Sequence, residues 1–300
     1  MRFSIGVAAI GLTLAACSSS DSNAPGNAAP LTQADAQVIG DEMQTEVAAF
    51  SSGGSIPDLM SCRFGFFPGA LRLFHGPMHF DNPPAGCPTL DPATPVDTDG
   101  DGVPDILTLT FDPTTCTSTW PGGEVTKELS GSVTISDPPL ATNGLRLEFN
   151  QLQQKLTFSN SNFFLRNVNG PWQLTSDDAG FEAHDTTTVA HESSLHGTRT
   201  LAKAWLVKFT ADPGSTFSRH APLPSGDFMI DGSTSRTKDG VTRSLQIETM
   251  TPLHRDAACA AENKIVSGEL KITTVNASGT QTVDIIFNPC GQDPTITLAA

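Results

Sequence analysis

The chain has 300 residues, of which 38% are hydrophobic, and a formal net charge of -15 at pH 7. That length and apolar content are sufficient for the core of one large domain or of two smaller ones. The excess of 32 acidic over 17 basic residues disfavours strong electrostatic attraction to nucleic acid or to anionic lipid, and it favours cations as partners.

The first 17 residues have the pattern of an export signal. Arg2 precedes an apolar stretch at residues 3–16 that is too short to span a bilayer, and small residues precede Cys17. The sequence Leu14-Ala15-Ala16-Cys17 resembles the lipobox of bacterial lipoproteins. The resemblance implies that residues 1–16 are a signal peptide that is removed. It also implies that acyl chains on Cys17 attach the protein to a membrane.

Residues 17–30 follow as a tether. They are small, polar and interrupted by proline and glycine, which is typical of a flexible linker. Ser18, rather than aspartate, follows the cysteine, which favours the outer membrane if the organism is Gram-negative. We therefore expect an extracytoplasmic, lipid-anchored protein.

We expect residues 31–95 to form a helix followed by an irregular segment. Thr32 and Asp35 have the spacing of a capping box. Five apolar residues have close to helical spacing: Val38, Ile39, Met43, Val47 and Phe50. The sequence thus predicts a helix over residues 31–50, whose apolar stripe docks on the core. Beyond it, frequent prolines prevent long regular elements.

An acidic loop opens the β-rich domain that we place at residues 96–300. Residues 97–105 read Asp-Thr-Asp-Gly-Asp-Gly-Val-Pro-Asp, with the spacing D-x-D-x-D-G-x-x-D. This spacing resembles the calcium loops of thrombospondin type 3 repeats, dockerins and EF-hands. The resemblance implies that the side chains of four aspartates and one backbone carbonyl bind calcium, directly or through water: Asp97, Asp99, Asp101, Asp105 and the carbonyl of Val103.

The loop departs from the EF-hand pattern in two ways. Thr108 stands at the twelfth position, where a bidentate glutamate is expected, and a β-type run follows instead of a helix. We therefore expect a Kd on the order of 10⁻⁴ to 10⁻³ M and a structural role for the calcium. The alternative is an acidic turn that binds no ion tightly.

Short alternating runs fill the rest of the chain. They alternate apolar and polar residues and are separated by turn signals, as in half-buried strands. The nine runs are residues 106–111, 129–136, 145–158, 163–174, 205–210, 227–235, 241–249, 265–275 and 282–287. The sequence predicts an all-β fold, an antiparallel sheet or sandwich of about nine or more strands with one N-terminal helix.

Five cysteines are left after Cys17, and disulfides between them can form in the oxidising compartment that an exported protein reaches. Several pairings are compatible with the sequence. We favour Cys87–Cys116, which would bracket the acidic loop, and Cys259–Cys290, which would join the ends of a hairpin-like segment. Cys62 would then be free or paired between chains.

Catalytic patterns are weak. The chain contains no G-x-S-x-G, and the H-E-x-x-x-H of His191 to His196 is one residue too long to place both imidazoles on one helix face. We interpret this histidine segment as polar and solvated. Pairs of acids such as Asp177-Asp178 are uninformative without geometry.

The sequence therefore predicts a membrane-anchored exported lipoprotein, a non-catalytic binding or structural module with a calcium-stabilised loop. One alternative is an extracytoplasmic hydrolase whose catalytic groups are scattered in the sequence. Another is a carrier that holds a hydrophobic ligand in a β cavity. A hydrolase would need a cleft with converging titratable groups, and a carrier would need an apolar cavity. The expected partner is the membrane, through the lipid on Cys17, and no nucleic acid is expected.

Overall fold

The structure is a computed structural model that describes residues 30–51, 86–119, 123–138, 144–195, 197–218, 221–238, 240–261, 263–276 and 279–299. These residues form one α-helix and a 14-stranded sheet. The predicted all-β class with one N-terminal helix is confirmed.

The helix precedes all of the strands. In chain order the elements are α1 Gln33–Ser51, β1 Thr89–Asp91, β2 Ile106–Phe111, β3 Thr117–Thr119, β4 Val125–Ser136, β5 Gly144–Phe158, β6 Phe163–Asp177, β7 Gly180–Asp185, β8 Thr188–Ser193, β9 Gly197–Ala211, β10 Gly226–Lys238, β11 Val241–Arg255, β12 Ile265–Asn276, β13 Gly279–Ile286 and β14 Thr295–Ala299.

The sheet is an antiparallel meander. Its order is β1-β2-β4-β5-β6-β7-β9-β10-β11-β12-β13-β14, and β3 pairs with β4 off this path. β7 and β8 both lie between β6 and β9. They therefore behave as a single strand that is interrupted at residues 186–187.

The nine predicted runs all coincide with strands, although most of the strands are longer than the runs. Five strands lie outside the predicted runs: β1, β3, β7, β8 and β14. β1 and β3 have three residues each, which is too short for a period to show.

The hydrophobic core lies at one end of the strands. Along β9 the alternate side chains of Trp205, Val207 and Phe209 are 4%, 1% and 1% exposed. The ring of Phe209 lies 4.8 Å from that of Phe228 and 5.7 Å from that of Phe181, between centroids. We name the side of the sheet that carries these residues the inner face. We name the strand ends that pack around this core the packed half.

A line of backbone irregularities crosses the sheet beside the core. β5 has one extra residue relative to β4 and β6 between Phe149 and Leu152, and Gln151 there has a φ of 49°. The gap between β7 and β8 lies at the same level, and the pairing of β10 with β11 shifts between Phe228 and Gly232. Bulges bend strands and increase their twist, so the sheet changes direction along this bulge line.

Beyond the bulge line the strands continue with less burial. Most of their side chains are half-buried, whereas those of the packed half alternate between buried and exposed. We name these strand ends the open half, which comprises residues 125–130 of β4, 152–158 of β5, 163–168 of β6, all of β8, 197–203 of β9, 233–238 of β10 and 241–246 of β11.

The predicted capping box begins the helix. The backbone N–H of Thr32 donates to Oδ2 of Asp35 at 2.8 Å, and the N–H of Asp35 donates to Oγ1 of Thr32 at 3.2 Å. These bonds satisfy N–H groups that have no partner within the helix. Of the predicted apolar stripe, Ile39, Met43 and Val47 are buried and Val38 is half-buried, whereas the side chain of Phe50 lies outside what the structure describes.

The helix packs on the last two strands of the sheet. Gly40 lies directly against the side chain of Ile296, which leaves no space for a Cβ at position 40. The N–H of Leu31 donates to Oε1 of Gln281 at 2.6 Å, and the side-chain amide of Gln33 donates to the carbonyl of Ile296 at 3.0 Å. The glycine that weakens the helix in isolation thus permits its close approach to β14.

Both predicted disulfides are present. Cys87–Cys116 brackets the acidic loop, and Cys259–Cys290 joins the segment after β11 to the segment before β14. Cys17 and Cys62 lie outside the described residues.

Candidate functional site

The acidic loop connects β1 to β2, two strands that pair with each other. Gly100 and Gly102 have φ values of 76° and 91°, a region that favours glycine, so the chain can reverse sharply there. At the base of the loop the N–H of Asp105 donates to the carbonyl of Val96 at 2.8 Å. The nearby Cys87–Cys116 disulfide joins the flanks of this hairpin.

Three carboxylates of the loop converge. Asp97, Asp99 and Asp101 each contribute one carboxylate oxygen, and these oxygens all lie within 4.8 Å of one another. Asp97 and Asp99 are exposed, and Asp101 is half-buried. Carboxylate oxygens are the ligands that hard divalent cations prefer, so this cluster could hold a metal ion.

Backbone donors orient these carboxylates. Asp97 accepts hydrogen bonds from the N–H of Gly100, at 2.8 Å to Oδ1, and of Gly102, at 3.0 Å to Oδ2. Asp101 accepts one from the N–H of Val103 at 2.8 Å. Such side-chain to backbone bonds fix the conformation of a short acidic loop.

Asp105 has a different environment. Its two oxygens accept hydrogen bonds from Thr98, at 2.6 Å from the hydroxyl and 2.9 Å from the backbone N–H. These bonds favour the charged carboxylate and lower the pKa of Asp105 below its ordinary value. The cluster of three converging oxygens does not include Asp105. Calcium binding by Asp105 and by the Val103 carbonyl stays a prediction.

The histidine segment differs from the expected solvated one. His191 is half-buried on the inner face of β8, and its ring centroid lies 5.5 Å from that of Phe164. Burial, together with the nearby charges of Arg199 and Arg166, lowers the pKa of His191 to about 4. The imidazole is therefore neutral at pH 7. His196 lies outside the described residues.

The structure also reveals a group of side chains that the sequence analysis did not single out. The pairing of β9 with β10 is unbroken from Ala211–Gly226 to Arg199–Lys238. The inner positions of β9 therefore run without a break from Phe209 in the core to Arg199 at the far end. Basic side chains occupy the inner positions of the open half.

Seven of the 17 lysines and arginines lie at these inner positions, and all seven are half-buried. Paired residues of antiparallel strands share a face, which assigns each of them to this side. We name them the basic face: Lys127, Arg166, Arg199, Lys203, Arg236, Lys238 and Arg243.

Acidic side chains are segregated from the basic face. Among the described residues, the inner positions of the open half include no aspartate or glutamate. Asp185 lies on the inner side at the bulge line, where it is buried and accepts hydrogen bonds from the hydroxyl and the N–H of Thr187 at 2.6 and 3.1 Å.

Comparisons with protein-family models, curated proteins and solved structures find no match to this chain. Within the described ranges, no helix has both the length and the apolar content needed to cross a membrane.

Proposed function

We propose that this protein is an exported lipoprotein, attached to a membrane through Cys17, that acts as a non-catalytic binding or structural module. Calcium bound by residues 97–105 stabilises the loop between β1 and β2. The observation that carries the proposal is the convergence of one oxygen each from Asp97, Asp99 and Asp101 within 4.8 Å.

Calcium suits this loop better than zinc or copper. The cluster offers only oxygen atoms, whereas zinc and copper sites use histidine and cysteine. Calcium takes six to eight oxygens in flexible geometry, so the carbonyl of Val103, Asp105 or water would complete the coordination. An exported protein also meets far more calcium than a cytosolic one, so even a weak site would be filled.

The disulfides support an address outside the cytoplasm. Disulfides such as Cys87–Cys116 and Cys259–Cys290 persist in oxidising compartments. This agrees with an export signal at residues 1–16 and with a lipobox that ends at Cys17.

Calcium titration calorimetry on the mature-length chain, residues 17–300 with Cys17→Ser, tests the metal site. This variant keeps every described residue and carries no lipid. We expect a Kd on the order of 10⁻⁴ to 10⁻³ M. At about 10 mM calcium and the weaker Kd, binding stabilises the fold by about 1.4 kcal/mol and raises Tm by about 3–5 °C relative to chelator.

Two aspartate variants sharpen this test. Asp99→Asn removes one charge of the cluster and should weaken calcium binding by about tenfold or more. Asp293→Asn removes an exposed carboxylate far along the sequence and should leave it unchanged. Equal binding by both variants, or no binding by the unsubstituted loop at about 10 mM calcium, would reject the calcium site.

Labelling with a fatty-acid analogue in a bacterial host tests the anchor separately. The full chain should incorporate the label and sediment with membranes, whereas the full chain with Cys17→Ser should not incorporate it. Cys62→Ser is the matched control and should be labelled like the natural chain.

A further inference from the structure

The two faces of the open half differ in charge. The opposite face of the same strands carries mostly threonine, serine and glutamine, and its charges are mixed. Lys155 and Glu128 lie there 3.4 Å apart as an ion pair, and Glu192 is exposed. The clustering of positive charge is therefore specific to the inner face.

The basic side chains lie on adjacent strands at the same level. Arg166 pairs with His191, His191 with Arg199, and Arg199 with Lys238. Neighbouring strands are about 4.8 Å apart, so three cations and a neutral imidazole lie within about 15 Å. Cations this closely spaced, with guanidinium groups among them, are groups that one phosphate or carboxylate can contact together.

Apolar side chains alternate with the cations on this face. Arg166, His191, Arg199 and Lys238 form a row across the strands. Leu156 and Phe164 lie at inner positions on one side of this row, and Val168, Val189 and Leu201 lie on the other. Val168 and Val189 are buried. The face therefore offers hydrophobic contact and positive charge at adjacent positions.

A pocket at the rim extends the apolar surface. It has a volume of about 490 Å³, and five apolar residues line much of it: Val125, Phe158, Phe163, Phe164 and Leu195. Phe158 and Leu195 are 41% and 68% exposed, so part of this apolar surface is accessible to a ligand. Phe164 precedes Arg166 by two residues, a distance of about 7 Å along the strand.

We propose that the inner face of the open half binds an anionic amphiphile, an acyl chain that carries a phosphate or carboxylate head group. The head group lies among Arg166, Arg199 and Lys127, and the chain extends over Phe164 into the rim pocket. This inference builds on the proposed binding role and names its ligand class, but it does not depend on calcium.

The geometry favours an amphiphile over a polymeric anion. Nucleic acids and acidic glycans are bound by exposed cations along an extended surface. Here all seven cations are half-buried, and leucine, valine and phenylalanine lie next to several of them along the same strands. Guanidinium groups such as those of Arg166 and Arg199 also form paired hydrogen bonds with phosphate and carboxylate oxygens.

The test uses dodecyl phosphate, below its micelle concentration, with the mature-length Cys17→Ser chain in the presence of chelator. Isothermal titration calorimetry measures its Kd. Dodecyltrimethylammonium has the same chain with the opposite charge, and inorganic phosphate is an anion without the chain. We expect dodecyl phosphate to bind more tightly than either by about tenfold or more.

Matched variants locate the site. Arg166→Gln with Arg199→Gln should weaken dodecyl phosphate binding by about tenfold or more. Lys155→Gln removes a cation from the opposite face of the neighbouring strand and should leave it unchanged. Lys238→Gln, at the end of the row, should weaken it less, and it serves as the second variant if the double substitution unfolds the protein.

Three results would overturn the inference. These are the absence of dodecyl phosphate binding, equal binding of dodecyltrimethylammonium, and equal binding of inorganic phosphate. Preferential binding of a single-stranded oligonucleotide would also overturn it. Because the titration is made in chelator, failure of the calcium site and failure of the basic face give separate results.

Discussion

The packed half and the open half of the sheet are built on the same strands, but their inner faces have opposite character. On β9 the inner positions change from Trp205, Val207 and Phe209 to Arg199 and Lys203 without a break in pairing with β10. Lys203 marks the transition, because its Nζ lies 4.6 Å from the ring centroid of Trp205. The buried apolar side chains of the packed half stabilise the fold. The open half carries basic side chains on continuations of the same strands.

A matched pair of leucine substitutions on β5 tests this division. Leu147 lies on the inner face of the packed half and is 1% exposed, whereas Leu156 is half-buried in the open half. Leu147→Ala should lower the free energy of unfolding by about 2–5 kcal/mol. Leu156→Ala should lower it by about 1 kcal/mol, measured by urea denaturation. Equal losses would mean that both halves are equally well packed.

A glycine at the bulge line tests whether the change of direction is a fixed feature. Gly232 has a φ of 140°, and a Cβ there would meet the carbonyl oxygen of Ala204. Gly232→Ala should therefore cost about 2–3 kcal/mol in the free energy of unfolding.

Gly240 is the control for this substitution. It has a φ of 78°, but no heavy atom lies within 4 Å of the position that a Cβ would occupy, so Gly240→Ala should cost about 1 kcal/mol. If Gly232→Ala costs no more than Gly240→Ala, the backbone at the bulge line can shift at little cost in free energy.

The smallest effect concerns pH. The pKa of His191 is lowered to about 4 by burial and by Arg199 and Arg166, below the 6.5 of an ordinary histidine. Between these values the unfolded chain binds a proton that the folded chain does not, so acidification below about pH 6.5 lowers stability. His191→Gln should reduce the loss between about pH 7 and pH 5, as measured by urea unfolding.

His184→Gln is the matched control for that experiment. His184 is exposed, and its Nε2 lies 2.8 Å from Oε1 of Glu182. Its replacement shows whether the loss of a histidine at any position, and not only of half-buried His191, changes the pH profile. A His191→Gln profile that matches the natural one would show that His191 does not contribute to the acid sensitivity.

Local features of the fold could be predicted from the sequence. The capping box of Thr32 and Asp35 depends on residues three apart, and the longer strands of the packed half show their period directly. The Cys87–Cys116 disulfide and the cluster of Asp97, Asp99 and Asp101 depend on a short hairpin. The capping box and the aspartate cluster involve residues that are close in sequence, whereas Cys87 and Cys116 are 29 residues apart and are brought together by the pairing of β1 with β2.

The runs predicted most of the open-half strands, but not which of their side chains share a face. On β8 the inner positions hold Val189, His191 and Ser193, so apolar residues do not alternate with polar ones. On β5 the extra residue at the bulge moves the inner positions from odd numbers, as at Leu147, to even numbers, as at Leu156. A period read along the whole strand fails for that reason.

The basic face could not be inferred from the net charge either. A net charge of -15, summed over the whole chain, disfavours anionic partners. It does not show where positive charges cluster. The cations of the basic face come from several different strands, and only the pairing of those strands brings them together. Strand register is not readable from composition, so this face required the structure.

The contact between α1 and the end of the sheet has a consequence for the order of assembly. Leu31 and its partner Gln281 are 250 residues apart, although most strand pairs of the meander join neighbours in the sequence. Hairpins can therefore form as the chain emerges, but the first helix can dock only when β13 and β14 have been made. Docking of α1 is thus expected to follow the formation of β13 and β14, so a contact across 250 residues forms after the hairpins.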